Sequence, residues 1–430
     1  MIDSSGPRWI GPGGESVAHY GAGWIIAFHA YDALNNGSPT LQISDLYWTA
    51  DDWPSLTAPA VAGPPAFTTQ PISVSVTGGT VALNAVATNA PTYQWRRNGS
   101  PVPGATGPLL LIPDAANATG AYTCVATNEA GSAVSNPATL AVTAGPDAGR
   151  MVKLSCRATV GTGANVLIAG FSVGGAGTSG AESLLIRASG PALAAVPFNV
   201  AGTLADPDLQ IDSLAGGQAN ALASDAGWGG SASIAAAAAS VGAFAWADPS
   251  SKDSAVATSL AGGAYTAEIS GTSGDTGVAL AEVYDATPRG ARTPSTPRLI
   301  NLSARVEVGT GGNVLIAGFV IGGSSARTVL VRASGPAIGA APFDVPGTLA
   351  DPQLMLTNLG TGAMAASNDG WGGDPAIAAA AVSVGAFPWN NPSSADSAFL
   401  VTLPPGNYTA TVSGSSGDSG VALVEVYEVQ

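Results

Sequence analysis

At 430 residues the chain has the length of about three average domains. Charged residues make up only 10% of it, against about 25% in an ordinary globular domain, while 46% of residues are hydrophobic, which is enough for each domain to bury a core. The net charge of −15 repels phosphate groups and argues against nucleic acid and anionic membranes as partners, and no apolar run approaches the roughly 18 residues that span a bilayer.

The composition favours short strands over long helices. Gly, Ala, Ser, Thr and Val dominate, which is typical of strands joined by Gly-rich turns. The first residues, MIDSSGPRWIGPGG, lack the positive region and apolar core of a signal peptide, although the rest of the chain reads as extracellular. We therefore expect the true start, with its signal peptide, to lie upstream of Met1, and we expect an extracellular or cell-surface location.

Three Pro-rich stretches at residues 54–65, 143–149 and 285–297 have the composition of linkers. They predict four modules, at residues 1–55, 66–144, 150–286 and 298–430.

The first module carries four motifs in order: Gly11–Ser16 (GPGGES), Phe28–Asp32 (FHAYD), Gly37–Leu41 (GSPTL) and Leu46–Trp48 (LYW). Together they resemble the last blade of the five-bladed β-propeller in glycoside hydrolase family 43, of the arabinan endo-1,5-α-arabinanase type. The resemblance implies inverting hydrolysis of a plant-type polysaccharide such as arabinan, which requires a general acid, a general base and a third carboxylate. In that family all three come from earlier blades.

The acids of this segment match none of the three catalytic positions: they are Glu15, Asp32, Asp45, Asp51 and Asp52. We therefore expect no catalytic residue in the chain and no hydrolysis by it alone. Many family members also have a metal-holding histidine after Gly-Pro-Gly, where this chain has Gly14. For His29 two interpretations stay open, a substrate contact near the propeller axis or a packed strand residue. No histidine follows it, which excludes a Ser-His-Asp or Cys-His site further along the chain.

The second module contains three residues that are typical of a known β-sandwich domain. Trp95 lies in TYQWRRNG, and Tyr122 lies two residues before Cys124. These residues resemble the strand-C tryptophan, the tyrosine corner and the strand-F cysteine of an I-set immunoglobulin domain, and the resemblance implies that all three are structural. Ala85 stands where the strand-B cysteine would be, so the usual disulfide is absent. Such a domain serves as a spacer or as an adhesion module.

The third and fourth modules are an internal repeat. RMVKLSCRATVGTGANVLIAGF (150–171) matches RLINLSARVEVGTGGNVLIAGF (298–319), and YTAEISGTSGDTGVALAEVY (265–284) matches YTATVSGSSGDSGVALVEVY (408–427). We call these modules repeat 1 (150–286) and repeat 2 (298–430). Their apolar residues mostly alternate, which predicts strands, and NVLIAGFVIGG (313–323) predicts a strand buried on both faces. The alanine-rich segments 233–240 and 375–383 predict short helices.

The fold class predicted for the whole chain is therefore all-β: a partial propeller blade, an immunoglobulin-like β-sandwich and two tandem β-sandwich repeats. The repeats resemble C-terminal modules of large secreted proteins of Verrucomicrobia-type bacteria, and their second halves resemble pre-peptidase C-terminal domains. Cys156 aligns with Ala304, so the repeat fold does not require a thiol there. We expect Cys124 and Cys156 to be buried free thiols, with a disulfide between them as the alternative.

Four tryptophans in the repeats are candidate carbohydrate contacts, because an aromatic face stacks on a sugar ring; the alternative is that they fill the sandwich. They are Trp228, Trp246, Trp371 and Trp389. No cofactor is predicted. A calcium site is the alternative to ordinary turn chemistry at Asp206, Asp275, Asp351 and Asp418.

Two functions fit these observations. One is the C-terminal portion of a secreted arabinan-degrading or other polysaccharide-degrading hydrolase, with accessory modules that space, bind carbohydrate or attach to a surface. The other is a non-enzymatic extracellular adhesion or structural protein.

Overall fold

The computed structural model describes residues 9–20, 23–33, 36–48, 54–55, 63–90, 92–143, 148–311 and 314–429. The chain is all-β, as predicted. It divides into two compact units, the first formed by residues 1–65 and 128–132 and the second by residues 66–127 and 133–430.

The first unit contains a four-stranded antiparallel sheet in the order β1-β2-β3-β4. Its strands are β1 (Trp9–Tyr20), β2 (Gly23–Asp32), β3 (Ser38–Trp48) and β4 (Pro54–Ser55). Ile26, Ala30 and Leu46 are buried.

The immunoglobulin-like sandwich follows. Its strands are β5 (Ala66–Thr69), β6 (Val74–Val76), β7 (Val81–Asn84), β8 (Val86–Thr88), β9 (Thr92–Arg97), β10 (Ser100–Pro101), β11 (Leu109–Ile112), β12 (Gly120–Asn128), β13 (Gly131–Val134) and β14 (Ala138–Val142). Trp95 is fully buried directly opposite Cys124 in the ladder between β9 and β12, and Ala85 lies in the same core. The Tyr122 hydroxyl donates to the Ala118 carbonyl at 2.7 Å, which closes the tyrosine corner.

The two repeats have the same elements in the same order. Repeat 1 contains β15 (Arg150–Val160), β16 (Leu167–Gly174), β17 (Ala181–Ser189), α1 (Pro191–Ala194), β18 (Pro207–Ser213), β19 (Asn220–Asp225), α2 (Ala232–Ser240), β20 (Ser254–Ala261), β21 (Gly263–Gly271) and β22 (Gly277–Asp285). Repeat 2 contains β23 (Arg298–Val308), β24 (Leu315–Gly322), β25 (Arg327–Ser334), α3 (Pro336–Gly339), β26 (Pro352–Asn358), β27 (Met364–Asn368), α4 (Pro375–Ser383), β28 (Ser397–Leu403), β29 (Gly406–Gly414) and β30 (Gly420–Val429).

The alanine-rich segments form the predicted helices α2 and α4. Each begins at a side-chain cap, since Ser231 accepts a hydrogen bond from the Ile234 amide and Asp374 accepts one from the Ala376 amide. The prediction for 313–323 is wrong in one respect. Along β24, buried Leu315, Ala317 and Phe319 alternate with half-buried neighbours, so only one face of this strand lies in the core.

The first strand of each repeat joins the two repeats into one sheet. β15 pairs with β22 of its own repeat on one edge and with β24 of repeat 2 on the other. β23 pairs in the equivalent way, with β30 of its own repeat on one edge and with β16 of repeat 1 on the other. A single hydrophobic core therefore extends through both repeats, and it includes Leu154, Phe171, Leu302 and Phe319.

The immunoglobulin-like domain packs on repeat 2. The Ala82 amide donates to the Thr402 hydroxyl at 2.7 Å, and the Asn84 side-chain amide donates to the Leu400 carbonyl at 2.7 Å. In repeat 1 the matching positions are Ala257 and Ser259, which are exposed. The smaller side chains on that face agree with its having no domain packed on it.

Candidate functional site

Each repeat holds a buried arginine between two aromatic rings. In repeat 1, the Arg187 guanidinium carbon lies 4.5 Å from the ring centroid of Phe244 and 4.2 Å from that of Trp246. Its Nη1 donates to the Phe244 carbonyl at 3.0 Å, and its Nε lies 3.6 Å from a carboxylate oxygen of Glu282. Since the arginine is only 1% exposed, it fixes these rings against the end of β17.

Repeat 2 has the same arrangement with one difference. Arg332 lies 4.5 Å from the Phe387 centroid and 4.3 Å from the Trp389 centroid, and it pairs with Glu425 at 3.5 Å. In repeat 1 the matching Glu282 also pairs with Lys153 at 3.0 Å, but repeat 2 has Asn301 at the lysine position.

The carboxyls behind these arginines are strongly desolvated. Burial raises the pKa of Glu425, and the Arg332 charge and the hydrogen bond from Tyr427 act against that rise. The Tyr427 hydroxyl donates to Glu425 at 2.6 Å, and burial followed by the nearby carboxylate raises the pKa of this tyrosine. In both repeats the ion pair beneath the rings is therefore almost fully buried.

The structure brings the four candidate tryptophans together in two pairs. Trp228 and Trp246 meet edge to face at 5.5 Å, and Trp371 and Trp389 do so at 5.4 Å. A serine hydroxyl accepts a hydrogen bond from each indole N–H; the acceptors are Ser251, Ser189, Ser394 and Ser334. Trp371 is 7% exposed and packs within a cluster that includes Ala82 of the immunoglobulin-like domain.

Two phenylalanines that we did not predict as site residues offer more open ring surface. Phe198 and Phe343 are 42% and 46% exposed, and each meets the inner phenylalanine of its repeat, Phe244 or Phe387, at 4.8 Å. Their matching positions in the repeat alignment, VPFNV and APFDV, are the signal that could have identified them.

A cleft of about 440 Å³ lies beside Phe343 in repeat 2, and we call it the repeat 2 cleft. Phe343, Phe387, Trp389, Asn390 and Asp396 are among its lining residues. Oδ1 of Asp396 accepts hydrogen bonds from the backbone amides of Gly335 and Ala337, at 2.8 and 3.1 Å. Oδ2 of this fully buried residue has no hydrogen-bond partner in the described part of the chain.

A buried acceptor without a hydrogen-bond partner costs about 1–3 kcal/mol of stability. A ligand hydroxyl that donated a hydrogen bond to Oδ2 would therefore be bound favourably. In repeat 1 the matching Asp253 receives that hydrogen bond from the Ser251 hydroxyl at 2.6 Å. The cavity beside Trp228 and Trp246 is smaller, at about 150 Å³, and α2 forms one of its walls. The two repeats thus share an aromatic scaffold, and of the two matching aspartates it is Asp396, in repeat 2, that has a carboxylate oxygen without a hydrogen-bond partner among the described residues.

His29 lies apart from these clusters, in the first unit. It is exposed on β2 opposite Leu41, and its ring meets that of Tyr31 edge to face at 6.1 Å. Leu41 and Ile43 on the same face are 68% and 64% exposed. Gly14 lies outside the side chains that the structure describes, and so do Asp51 and Asp52.

Among the described residues, no three His, Cys, Asp or Glu side chains come together as a metal site requires. Of the four aspartates considered for calcium, Asp206 lies 3.8 Å from Lys252. Cys124 and Cys156 are both free and buried. No helix in the described ranges is long and apolar enough to cross a membrane.

Comparisons with known proteins agree with part of this description. Residues 64–128 match the family model of the immunoglobulin domain. The chain is 46% identical over 55 residues to extracellular endo-α-(1->5)-L-arabinanase 1 of Bacillus subtilis (strain 168), which covers 13% of this chain and 16% of that protein. It is 28% identical over 155 residues to neural cell adhesion molecule L1 of Takifugu rubripes, which covers 29% of this chain and 11% of that protein. The chain thus spans less than a fifth of either relative.

Solved structures with similar parts include the N-terminal immunoglobulin module of the Drosophila receptor protein tyrosine phosphatase DLAR. Identity is 19% and the TM-score 0.18, with 33% of this chain and 79% of that chain covered. A tandem pair of titin immunoglobulin domains has 11% identity and a TM-score of 0.16, with 59% and 93% covered. The chain contains an immunoglobulin-like domain, and the prediction made from Trp95, Tyr122 and Cys124 is confirmed.

Proposed function

We propose that the chain is the accessory part of a secreted polysaccharide-degrading hydrolase and that the repeat 2 cleft binds carbohydrate. The observation that carries the proposal is that one cleft is lined both by the exposed ring of Phe343 and by Asp396, whose buried Oδ2 has no hydrogen-bond partner among the described residues. A sugar presents an apolar ring face and a rim of hydroxyls, so it requires one aromatic surface and a few fixed polar groups.

The carbohydrate is proposed to be a plant-type polysaccharide such as arabinan. The family 43 motifs of residues 8–53 and the 46% identity to an arabinanase support that choice. In this proposal the first module belongs to a propeller, and the immunoglobulin-like domain, which packs on repeat 2, is a spacer. His29 and the four tryptophans stay proposed contacts, with Trp389 lining the cleft and Trp371 supporting it.

Titration calorimetry with α-1,5-linked arabinopentaose tests the proposal. Phe343→Ala should weaken binding at least about fivefold, because it removes the stacking surface. Asp396→Asn should also weaken it, since the side-chain oxygen would stay on the Gly335 and Ala337 amides and the NH2 group in place of Oδ2 cannot accept a hydrogen bond. Val382→Ala is the matched control, because Val382 is an apolar side chain of repeat 2, 76% exposed, that does not line the cleft. Binding that Phe343→Ala leaves unchanged would contradict the assignment of the site.

An adhesion function is the second candidate, and the 28% identity to a neural cell adhesion molecule favours it. The two functions differ in what they require. An adhesion module would bind a protein or a second copy of itself and would not bind arabinopentaose. Sedimentation of the chain alone, with and without arabinopentaose, separates them.

A further inference from the structure

A second concave surface lies where the two repeats join, and we call it the inter-repeat groove. It has a volume of about 670 Å³. Its floor is the face of β22, β15, β24 and β29 that points away from the core, and its wall includes the end of α2 and the segment 285–292. Lys153 is paired with Val320 across the strands of the floor, and Ser155 with Gly318. Neither repeat contains this groove alone, because β15 and β24 belong to different repeats.

The groove is positively charged in a strongly acidic chain. Lys153, Arg289 and Arg292 line it, and Lys153 is one of only two lysines in the sequence. Arg289 is exposed and forms no ion pair within the described residues. The segment that carries both arginines, which we predicted as a linker, is held in place, because Arg292 pairs with Asp285 at 2.9 Å.

Two acids near the groove each pair with two basic side chains. Glu282 is shared between Lys153 at 3.0 Å and Arg187 at 3.6 Å. Asp285 is shared between Arg292 at 2.9 Å and Arg150 at 3.2 Å.

The remaining acid, Glu182, contacts Arg150 at 3.5 Å. Burial, and then the hydrogen bond with Asp285, raise the pKa of Glu182 to about 9, so it is neutral at pH 7. Three cations, Lys153, Arg289 and Arg292, therefore line the groove together with one acid, Asp285, although the whole chain has a net charge of −15. A small anion is attracted here and repelled by the rest of the surface.

Internal symmetry provides a comparison within the same molecule. β30, β23, β16 and β21 pair in the same way on the other side of the joined sheet. There Asn301 replaces Lys153, Ser172 replaces Val320 and Ala264 replaces Asn407. The fold thus forms the strand floor twice, once with a lysine and once without, so the positive charge at Lys153 belongs to one groove and is not needed for the repeat to fold.

We propose that the inter-repeat groove binds an acidic saccharide, a short chain of uronate sugars. Lysine and arginine bind the carboxylates, and arginine does so through two parallel hydrogen bonds. Side chains that can exchange hydrogen bonds with sugar hydroxyls lie between the cations: Ser155, Ser240, Thr287 and Asn407. The volume lies within the range of small-ligand sites. This site goes beyond the proposed function, because it shares no residue with the repeat 2 cleft.

The test is titration calorimetry of the full chain with α-1,4-linked trigalacturonic acid at low salt, with its fully methyl-esterified form as the uncharged control. Lys153→Asn places in this groove the residue that repeat 2 already has, so the fold has a precedent for it. Arg289→Ala changes an exposed side chain that forms no ion pair with any residue the structure describes. Each should weaken binding about tenfold, and both together should abolish it. Lys252→Ala, the other lysine, should leave binding unchanged. Added salt should weaken binding by the wild type.

Three outcomes would overturn the proposal. One is the absence of binding, another is equal affinity for the acid and its methyl ester, and the third is binding that neither variant reduces. Tighter binding of a tetraglutamate peptide than of trigalacturonic acid would make this a site for acidic peptides instead. Arabinopentaose binding that Phe343→Ala weakens and Lys153→Asn does not alter would show that the two sites are independent, so either proposal can fail without the other.

Discussion

Replacement of the buried arginine in each repeat should destabilise the protein unequally. Arg332→Met removes the only cation that pairs with Glu425 among the described residues, and both side chains are almost fully buried. A buried charge that loses its partner costs about 3–5 kcal/mol. Arg187→Met removes the same aromatic contacts and the same backbone hydrogen bond, but Glu282 keeps Lys153 at 3.0 Å. We therefore expect a smaller loss in repeat 1.

The assay is the melting temperature of each full-length variant at neutral pH. Since a domain of about 150–250 residues loses about 2–4 °C per kcal/mol, and the two repeats share one core that is at least that large, Arg332→Met should lower the melting temperature by about 6–20 °C. The loss for Arg187→Met should be clearly smaller. Addition of Asn301→Lys to Arg332→Met should recover part of the loss, because it supplies the lysine that repeat 1 has.

The pH dependence gives a second check. Burial raises the pKa of Glu425, and the positive charge of Arg332 lowers it. In Arg332→Met that charge is absent, so the pKa of Glu425 should rise further. A group whose pKa is higher in the folded state destabilises the fold as the pH rises through that pKa, so the difference between Arg332→Met and wild type should narrow when the pH falls to about 5. Equal losses in the two repeats, or a difference that does not change with pH, would refute the reasoning.

Three further predictions concern other parts of the chain. Thr402→Val should lower the free energy of unfolding by about 1–3 kcal/mol, because the Ala82 amide loses its acceptor in a buried interface. Ser259→Ala at the matching exposed position should have almost no effect, and urea unfolding measures both variants. Neither thiol should react with a disulfide reagent in the native protein, because burial raises the pKa of Cys124 to about 11 and that of Cys156 to about 12. Rapid labelling of one equivalent of thiol would contradict this. Because both cysteines are free, reducing agent should not change the melting temperature. The purified chain should not hydrolyse arabinan, because no acid of the first module matches a catalytic position; turnover that survives repurification would contradict this.

Much of the fold could be predicted from the sequence, because local patterns determine it. Alternating apolar residues predicted the strands, and alanine-rich segments predicted α2 and α4. Trp95, Tyr122 and Cys124 predicted the immunoglobulin-like sandwich. These signals depend only on neighbouring residues and on one well-known arrangement of aromatic and sulfur side chains.

The partners of each strand could not be predicted. The alternation in β15 buries Leu154 equally well whether β15 pairs with its own repeat or with β24, so the pattern does not specify the connection between repeats. The packing of the immunoglobulin-like domain on repeat 2 left only a weak trace, in the change from Ala257 and Ser259 to Leu400 and Thr402. The tryptophans could be proposed as contacts from the sequence, but Phe343 could not, because its exposure depends on tertiary structure.

Binding to insoluble linear arabinan tests the central claim, that this chain is a carbohydrate-binding accessory part, most directly. The amount of protein left in solution would be measured against increasing polysaccharide for the wild type, Phe343→Ala and Val382→Ala. We expect saturable binding for the wild type and for Val382→Ala, with a dissociation constant at least about fivefold higher for Phe343→Ala. Identical isotherms for all three proteins, or no removal of the wild type from solution, would contradict it.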